Sequence, residues 1–359
     1  MKLIHCADLH LDSKMESGLP KEKAAKRRLE LLQTFTRMVE QAQAEEVEAI
    51  LLCGDLFDAK TISARARNCV LDAIVQHPQI FFYYLQGNHD QSSFWEELPE
   101  LPDNFRLFGT DWTTYEQGEV SITGAELSER TPDDLLERLT LDKDRVNIVM
   151  LHAMATEYGA RDSKDEISLR ALRGKHISYL ALGHIHRFRL EKLDEEGMWC
   201  YCGCLEGLGF DECGEKGYVE LTLREGALIP TFVPFAKRRL HEVSVDITGL
   251  MTQEEIQRGV QEALEDIPER DMVKVVLTGE VDPEAEKDTL WVQRWLEEDY
   301  YYLKVQDETS LKIRPEDYQY DISFKGEFVR LVLKSDLPQK EKEEVLVKGL
   351  HAVMHAGRE

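Results

Sequence analysis

The sequence predicts an α/β fold in which two sheets pack face to face with helices outside, followed by a small α/β domain and C-terminal helices. Over residues 1–235, short apolar runs alternate with longer segments of helical periodicity, which is typical of layered α/β proteins. Beyond His186 the pattern changes to shorter strands, which favours a second sheet. A chain of 359 residues with 42% hydrophobic residues can form two or three domains with their own cores.

The elements of the first domain follow from periodicity and from the turn residues between the periodic segments. Residues 23–44 and 64–75 are predicted as helices, the second with Ser63 as its N-cap. Residues 119–125 form a candidate strand, and residues 132–139 a short helix with Thr131 as N-cap and proline in its first position. The shorter strands of the second half are expected at residues 188–193, 199–203, 218–223 and 228–233.

A basic stretch at residues 234–239 marks the predicted end of the first domain, which we assign to residues 1–237. Residues 238–312 are predicted to form a capping domain with the order β-α-β-α-β. Its strands and helices are expected at residues 241–247, 253–264, 272–277, 288–298 and 300–305.

The tail, residues 313–359, is predicted to hold two short amphipathic helices, at 324–333 and 341–354. Their apolar stripe consists of Phe328, Val332, Leu346, Leu350 and Val353. Two interpretations stay open: the stripe docks on the protein's own body, or it receives a helix of a partner.

Charge and hydropathy narrow the function classes. With 44 Lys and Arg against 69 Asp and Glu, the net charge is −25, which argues against a broadly basic nucleic-acid-binding surface but leaves room for a local groove. No apolar stretch approaches the roughly 20 residues that span a bilayer. The chain enters a strand at Lys2 without the apolar core of a signal peptide, so we expect a cytoplasmic protein with no membrane association.

The cysteines are expected to stay reduced in that compartment. Cys200, Cys202, Cys204 and Cys213 cluster in sequence, which raises the possibility of a zinc site. Three of them alternate along a strand, unlike the usual Cys-x-x-Cys knuckle, and the competing interpretation is small buried side chains.

Ligand-type side chains follow five short apolar runs, at residues 3–7, 49–53, 80–85, 146–151 and 179–182. In an open α/β sheet, ligands bind beyond the carboxyl ends of the strands, so these blocks should converge on one edge. The side chains concerned are Asp8, His10, Asp55, Asn88, His152, His184 and His186. Two Asp, one Asn and four His are the ligand inventory of a two-metal hydrolytic site.

The spacing of these residues indicates how the ligands would be divided between two metals. Asp8 and His10 are two apart and would point to one side of an extended segment, while the single carboxylate of Asp55 can bridge two cations. The mixed donor set favours Mn²⁺ or Fe²⁺ over pure Mg²⁺ or pure Zn²⁺ chemistry, with Mg²⁺ kept as an alternative. Two metals about 3.5–4 Å apart can hold a bridging hydroxide and clamp the oxygens of an in-line displacement at phosphorus.

His89 follows Asn88 and is placed to contact the scissile phosphate without binding metal. It could protonate the leaving oxygen, and Asp90 could orient it. Gly54 and Gly87 suit tight turns where the backbone approaches the metals.

These blocks resemble the motif series of the calcineurin-like metallophosphoesterase superfamily. The matching motifs are Asp8-x-His10, Gly54-Asp55-x-x-Asp58, Gly87-Asn88-His89-Asp90, His152 and Gly183-His184-x-His186. Residues 5–11, 54–58 and 207–218 and the boundary at 238–241 resemble more narrowly its DNA-repair exonuclease branch, that of the SbcD nuclease subunit and YhaO-like relatives. Cys204 departs from the pattern, since a serine is common at that position.

The resemblance implies a metallophosphoesterase sandwich in which His89 is the catalytic histidine. One metal would be held by Asp8, His10, Asp55 and His186, and the second by Asp55, Asn88, His152 and His184. It further implies Mn²⁺-dependent exonuclease and endonuclease activity on DNA in repair and homodimerisation. The implied partner is an SbcC-like SMC/ABC ATPase that binds the C-terminal helices.

Two other functions compete with the nuclease hypothesis. The same core would serve a phosphodiesterase acting on small nucleotides or phosphoesters, and a partner-bound scaffold with a dormant site is the third interpretation. Candidate DNA contacts lie just after the first motif, although a solvated helix end explains them equally well: Lys21, Lys23, Lys26, Arg27 and Arg28.

Overall fold

The computed structural model describes residues 1–15, 18–58, 62–90, 95, 98, 100–127, 132–159, 163–282, 285–312, 318 and 320–355. The chain divides into two compact units, Met1–Arg239 and Leu240–Glu359. The three-domain division at 237/238 and 312/313 stays a prediction. Within the described part of the chain, no helix is long and apolar enough to cross a membrane.

The first sheet of unit 1 has six strands in the order β14-β13-β1-β2-β3-β4. Strands β1 to β4 run parallel, and β13 and β14 add an antiparallel edge. Their bounds are β1 Lys2–Cys6, β2 Ala49–Cys53, β3 Phe81–Leu85, β4 Phe105–Leu107, β13 Gly217–Arg224 and β14 Ala227–Pro234. Helices α1 (Lys21–Ala44) and α2 (Ala64–Gln76) cover the outer face, where Phe35 and Val70 pack with Ile50 and Phe82.

The second sheet also has six strands, in the order β11-β12-β10-β7-β6-β5. Their bounds are β5 Thr113–Gln117, β6 Val120–Gly124, β7 Val146–His152, β10 Tyr179–Gly183, β11 Arg189–Lys192 and β12 Met198–Tyr201. Its outer face carries α3 (Pro132–Glu137) and α4 (Leu169–Leu172), and a short parallel pair joins β8 (Met154–Thr156) to β9 (Glu166–Ser168). The N-cap predicted at Thr131 lies outside the described residues.

The two sheets pack face to face, which confirms the predicted fold class. Leu51 and Tyr83 of the first sheet share one buried cluster with Ile122, Met150 and Ala181 of the second. Cys200 and Cys202 are fully buried in the same cluster, so they fill the core as small apolar side chains. In the described part of the chain, no candidate metal cluster contains two of the four grouped cysteines.

Unit 2 contains the predicted β-α-β-α-β order. A parallel sheet β15-β16-β18 is formed by Leu240–Asp246, Met272–Thr278 and Tyr302–Asp307, and β17 (Glu280–Val281) pairs with β19 (Ser310–Leu311). Helix α5 (Gln253–Leu264) begins with a capping box between Thr252 and Glu255, and α6 (Thr289–Leu296) has Asp288 as its N-cap.

Two helices follow, α7 (Phe324–Lys334) and α8 (Gln339–His355). Phe328, Val332, Leu346 and Leu350 of the predicted stripe pack in one cluster, so this part of the stripe is buried between the two helices themselves. The side chain of Val353 lies outside the described residues.

Candidate metal centre

Left-handed backbone turns aim the side chains that follow β1 and β2. Asp8, His10 and Asp55 have φ values of 51°, 43° and 50°, a region that non-glycine residues seldom adopt. The loops after β1 and β2 are hydrogen-bonded to each other. The N–H of Asp8 donates to the carbonyl of Gly54 at 3.1 Å, and the N–H of His10 donates to the carbonyl of Asp55 at 3.0 Å. The prediction of an extended segment at Asp8 and His10 is therefore wrong: pairing between the loops, not strand alternation, sets their direction.

Two glycines leave room for the ligand side chains. Gly54 has a φ of 85°, and a Cβ there would lie 2.3 Å from Nδ1 of His152. A Cβ on Gly87 would lie 2.1 Å from Oδ1 of Asp55. Both positions therefore exclude a larger residue without displacing a predicted ligand.

One group of predicted ligands consists of Asp8, His10 and His186, whose donor atoms lie within 4.8 Å of one another. The Nε2 atoms of His10 and His186 are 3.1 Å apart. Asp55 lies beside them, with its Oδ2 atom 4.0 Å from Nε2 of His10. All four side chains of the first implied metal site are thus adjacent.

A second group consists of Asp8, Asp55 and His152. Nε2 of His152 lies 3.2 Å from Oδ2 of Asp55 and 2.9 Å from Oδ1 of Asn88. The same oxygen of Asn88 lies 3.2 Å from Nδ1 of His184. The structure therefore brings all seven predicted ligands together at the carboxyl ends of strands from both sheets.

The spacing of these donor atoms fits divalent cations. An ion that binds nitrogen and oxygen at about 2.1 Å separates neighbouring ligand atoms by roughly 3.0–3.4 Å in octahedral or tetrahedral geometry. Four contacts between donor atoms lie close to that range: His152–Asn88 at 2.9 Å, His10–His186 at 3.1 Å, and His152–Asp55 and His184–Asn88 at 3.2 Å each. The imidazole, carboxylate and amide donors are the types that transition-metal dications accept.

The electrostatics of the centre favour positive charge. Burial raises the pKa of Asp8 to about 6. Burial alone would raise the pKa of Asp55 as well, but the hydrogen bond and charge of His152 hold it at about 2. Burial would lower the pKa of His152, yet its hydrogen bond to Asp55 and the charges of both carboxylates raise that pKa to about 9. A bound cation would satisfy these carboxylates in place of the imidazolium proton.

His89 lies beside the two groups and is accessible. Its side chain is 50% exposed, and its Nδ1 atom lies 2.9 Å from Oδ1 of Asp58. Its backbone N–H donates to Oδ1 of Asp55 at 2.9 Å, which fixes the residue against a predicted ligand. With Nδ1 paired to Asp58, Nε2 is the nitrogen that is left for a substrate.

Asp90 does not orient His89, contrary to the prediction. Its carboxylate accepts the backbone N–H groups of Gly87 at 3.0 Å, Phe57 at 2.9 Å and Leu56 at 3.2 Å. The side chain is buried, and burial raises its pKa. Asp90 therefore ties together the loops after β2 and β3, and Asp58 makes the contact with the imidazole.

The sequence of residues 1–188 matches the family described as Calcineurin-like phosphoesterase, which is just over half of the chain. The chain belongs to the calcineurin-like phosphoesterase family. This membership supports a metal-dependent phosphoesterase with a dimetal centre, and the two ligand groups above are among four groups of described residues that could hold a metal ion. It confirms the predicted superfamily, while the SbcD branch stays a prediction.

Two curated relatives are similar to this phosphoesterase. The metallophosphoesterase YhaO of Bacillus subtilis strain 168 is 27% identical over 266 residues, which cover 69% of this chain and 64% of YhaO. The DNA double-strand break repair protein Mre11 of Sulfolobus acidocaldarius is 28% identical over 204 residues, which cover 54% of this chain and 52% of Mre11. The chain thus spans between half and two thirds of the length of these relatives.

Among solved structures, the chain also matches a dimetal phosphatase from Danio rerio. It has 14% sequence identity and a TM-score of 0.43, and the alignment covers 65% of this chain and 99% of that one. At this TM-score the likeness adds nothing to the assignment.

Arg27 is not a surface contact of the phosphoesterase, although it stood among the candidate DNA-binding residues. Its side chain is fully buried, and its guanidinium donates to Glu30 at 2.8 Å, Glu206 at 3.1 Å and the carbonyl of Gly207 at 3.0 Å. Lys26, on the exposed side of the same helix, pairs with Glu22. The run of basic residues in this helix therefore includes one buried arginine with a structural role.

The sequence did not predict Glu212 as a site residue, although its carboxylate contacts the side of the His186 ring that faces away from the metal centre. Oε1 of Glu212 lies 2.5 Å from Nδ1 of His186, in a short 3₁₀ turn at Phe210–Glu212. The one available signal was the resemblance of residues 207–218 to the nuclease branch, which carried no statement about individual residues.

Proposed function

We propose that this chain is a Mn²⁺-dependent DNA nuclease that hydrolyses phosphodiester bonds as part of a repair complex. The observation that carries the proposal is the convergence of seven ligand-type side chains, with the exposed His89 beside them. Its similarity to a relative described as a DNA double-strand break repair protein favours DNA over other phosphodiesters.

In this mechanism, Asp8, His10 and His186 would hold one cation, Asn88, His152 and His184 would hold the other, and Asp55 lies beside both ligand groups. Two such cations supply Lewis-acid activation of water and neutralise charge on the phosphoryl oxygens. As water attacks phosphorus, one P–O ester bond breaks and the leaving oxygen needs a proton. Nε2 of His89 gives that proton, while Asp58 accepts Nδ1–H and orients the ring.

A cavity beside the centre supports a nucleotide-type substrate. It measures about 980 Å³, and its walls include His184, His186, Arg187 and the ring pair Phe188 and Phe232. The two rings stack with centroids 4.5 Å apart, and Arg187 is an exposed residue. Aromatic faces and a guanidinium are the groups that bind bases and phosphates.

The proposed partner and assembly rest on the same resemblance and on the C-terminal helices. The helix pair α7 and α8 exposes Phe324 and Leu331, at 73% and 61%, outside the contact between the two helices. Exposed apolar side chains on an amphipathic helix suit binding by a partner helix. We therefore keep an SbcC-like ATPase as the proposed partner, together with a homodimer and a cytoplasmic location.

The net charge of −25 favours one alternative, a phosphodiesterase for small nucleotides or phosphoesters, because a long DNA backbone would be repelled more strongly than a small ester. The test is Mn²⁺-dependent degradation of end-labelled linear duplex DNA, with a small chromogenic phosphodiester assayed in parallel. Shortening of the DNA, lost in the His89→Ala variant, supports the nuclease. Cleavage of the small ester with intact DNA supports the alternative, and no cleavage of either by Mn²⁺-loaded protein contradicts both.

A further inference from the structure

His186 has a carboxylate, that of Glu212, at hydrogen-bond distance from the ring nitrogen that faces away from the metal centre. Nε2 of His186 faces Nε2 of His10 at 3.1 Å, while Nδ1 on the far side of the ring faces Oε1 of Glu212 at 2.5 Å. A carboxylate acceptor at Nδ1 requires the proton to sit on that nitrogen, which leaves the lone pair of Nε2 directed at the centre. We propose that Glu212 is a positioning residue that fixes the tautomer and ring orientation of His186 for one of the two metals, an inference that rests on the proposed dimetal function.

Glu212 is itself held in place, so it can transmit an orientation. Its second oxygen, Oε2, accepts the backbone N–H of Leu208 at 2.8 Å and lies 3.6 Å from Sγ of Cys204. The backbone N–H of Glu212 donates to the carbonyl of Gly209 at 2.9 Å within the 3₁₀ turn. The side chain is only 12% exposed, so both carboxylate oxygens have fixed partners instead of bulk water.

The same segment also holds the main chain of His186. The buried Lys216 donates from Nζ to the carbonyl of His186 at 2.7 Å. The two ends of the segment meet where the N–H of Gly217 donates to the carbonyl of Cys204 at 3.1 Å. The loop at residues 204–217 therefore grips His186 at both its ring and its backbone.

The base of this loop is anchored to α1. The guanidinium of Arg27 donates to the carbonyl of Gly207 and to the carboxylate of Glu206. Oε1 of Glu206 also accepts the hydroxyl of Thr34 at 2.7 Å. A loop fixed to a buried helix residue presents Glu212 in a preset position, as a residue that orients another must be.

In the described part of the chain, no carboxylate lies within hydrogen-bond distance of Nδ1 of His152 in the other metal group, since Asp8 is 4.0 Å away. His152 directs its Nδ1 to the backbone carbonyl of Cys53 at 2.9 Å, which is a neutral acceptor. Removing the charge of Glu212 should therefore weaken the metal that His186 binds and leave the metal that His152 binds unchanged. Loss of such a supporting carboxylate lowers metal affinity by about 10- to 100-fold.

The experiment is a Mn²⁺ titration of the metal-free full-length chain by calorimetry, for the wild type and for Glu212→Gln, which keeps size and removes charge. The matched control is Glu215→Gln, which makes the same charge change in the same loop, because Glu215 is half exposed and pairs with Arg239. We expect two Mn²⁺ per chain in all three proteins. One of the two affinities should fall about 10- to 100-fold in Glu212→Gln alone.

Two further readouts separate the outcomes. The Co²⁺-substituted protein should show a changed d–d absorption spectrum in Glu212→Gln and an unchanged one in Glu215→Gln, since only the first alters a ligand's orientation. Unchanged Mn²⁺ affinities in Glu212→Gln, or an equal loss in Glu215→Gln, would overturn the inference even in a protein that cleaves DNA. A selective loss of one Mn²⁺ affinity in a protein that cleaves no phosphodiester would uphold the inference and reject the proposed function.

Discussion

Replacing Arg27 with methionine should lower the free energy of unfolding, and it should not act directly on substrate binding. Arg27 is 0% exposed, and its partners Glu30 and Glu206 are 5% and 3% exposed, so the variant leaves two buried carboxylates with one partner fewer. Removing one partner of a buried ion pair costs about 3–5 kcal/mol. Glu30 keeps Arg238 at 2.7 Å and Glu206 keeps Thr34, which places our expectation near the lower limit, about 3 kcal/mol.

The assay is urea unfolding followed by tryptophan fluorescence and by circular dichroism, with the free energy of unfolding compared between variants. The matched control is Arg28→Met, because Arg28 is the next residue of the same helix and its side chain is exposed. Exposed substitutions of this kind change stability by less than about 0.5 kcal/mol.

A surface role for Arg27 predicts the opposite pattern. If Arg27 contacted a phosphate, its replacement would leave the free energy of unfolding unchanged. It would reduce the slope of log affinity for DNA against log salt concentration by roughly one. If Arg27→Met unfolds within about 0.5 kcal/mol of Arg28→Met, the buried ion-pair network does not have the role that we assign to it.

Three further predictions concern the ligands, the catalytic histidine and the pH dependence of stability. His89→Ala should retain its Mn²⁺ and lose about 10²- to 10⁴-fold in turnover. Adding Asp58→Ala to this variant should lower turnover little further, because Asp58 acts through the imidazole of His89. A metal content that falls together with activity in His89→Ala would refute the catalytic role of His89. Asp55→Ala should lose both metals, since its carboxylate lies beside both ligand groups, and elemental analysis by mass spectrometry after gel filtration would refute this if two ions remained. Burial alone would raise the pKa of Glu30, but Arg238 and Arg27 hold that pKa at about 2, below its usual value of 4.5. The charged carboxylate of Glu30 therefore adds to the free energy of unfolding above about pH 4.5, and this contribution is lost as the pH falls toward 2. The stability difference between wild type and Arg27→Met should therefore shrink over that interval in urea unfolding, and a difference that grows on acidification would contradict it.

The convergence of the ligands was predictable because it depends on a rule of sheet architecture. Strands β1, β2, β3, β7 and β10 are short apolar runs, and a parallel strand's carboxyl end must meet those of its neighbours. The residues one to three positions after such a run are therefore placed at the common edge before any side-chain contact is known. This is why Asp8, Asp55, Asn88 and His184 could be grouped from the sequence.

Contacts that depend on loop geometry could not be predicted in this way. The direction of Asp8 and His10 comes from left-handed turns that hold only because the loop after β2 lies alongside. The exchange of Asp90 for Asp58 as the partner of His89 has the same origin, since three backbone N–H groups converge on Asp90 only in the folded loops. Local spacing contains no information about such pairings.

The buried arginine and the carboxylate behind His186 show a second limit. Arg27 lies in a run of basic residues on a helix, and only the position of Glu206, far along the chain, distinguishes it from its exposed neighbours. Glu212 is 26 residues from His186, and their contact depends on the course of the whole intervening segment. Charge patterns thus indicated a surface where the structure has an internal network.

The measurement that tests the account most directly is a crystal structure of the full-length chain grown with Mn²⁺, with the ions located by their anomalous scattering. We expect two ions, one bound by Asp8, His10 and His186 and the other by Asn88, His152 and His184, with Asp55 contacting both. We expect His89 to bind neither ion. A single ion, ions bound by other residues, or His89 as a ligand would contradict the proposed dimetal centre.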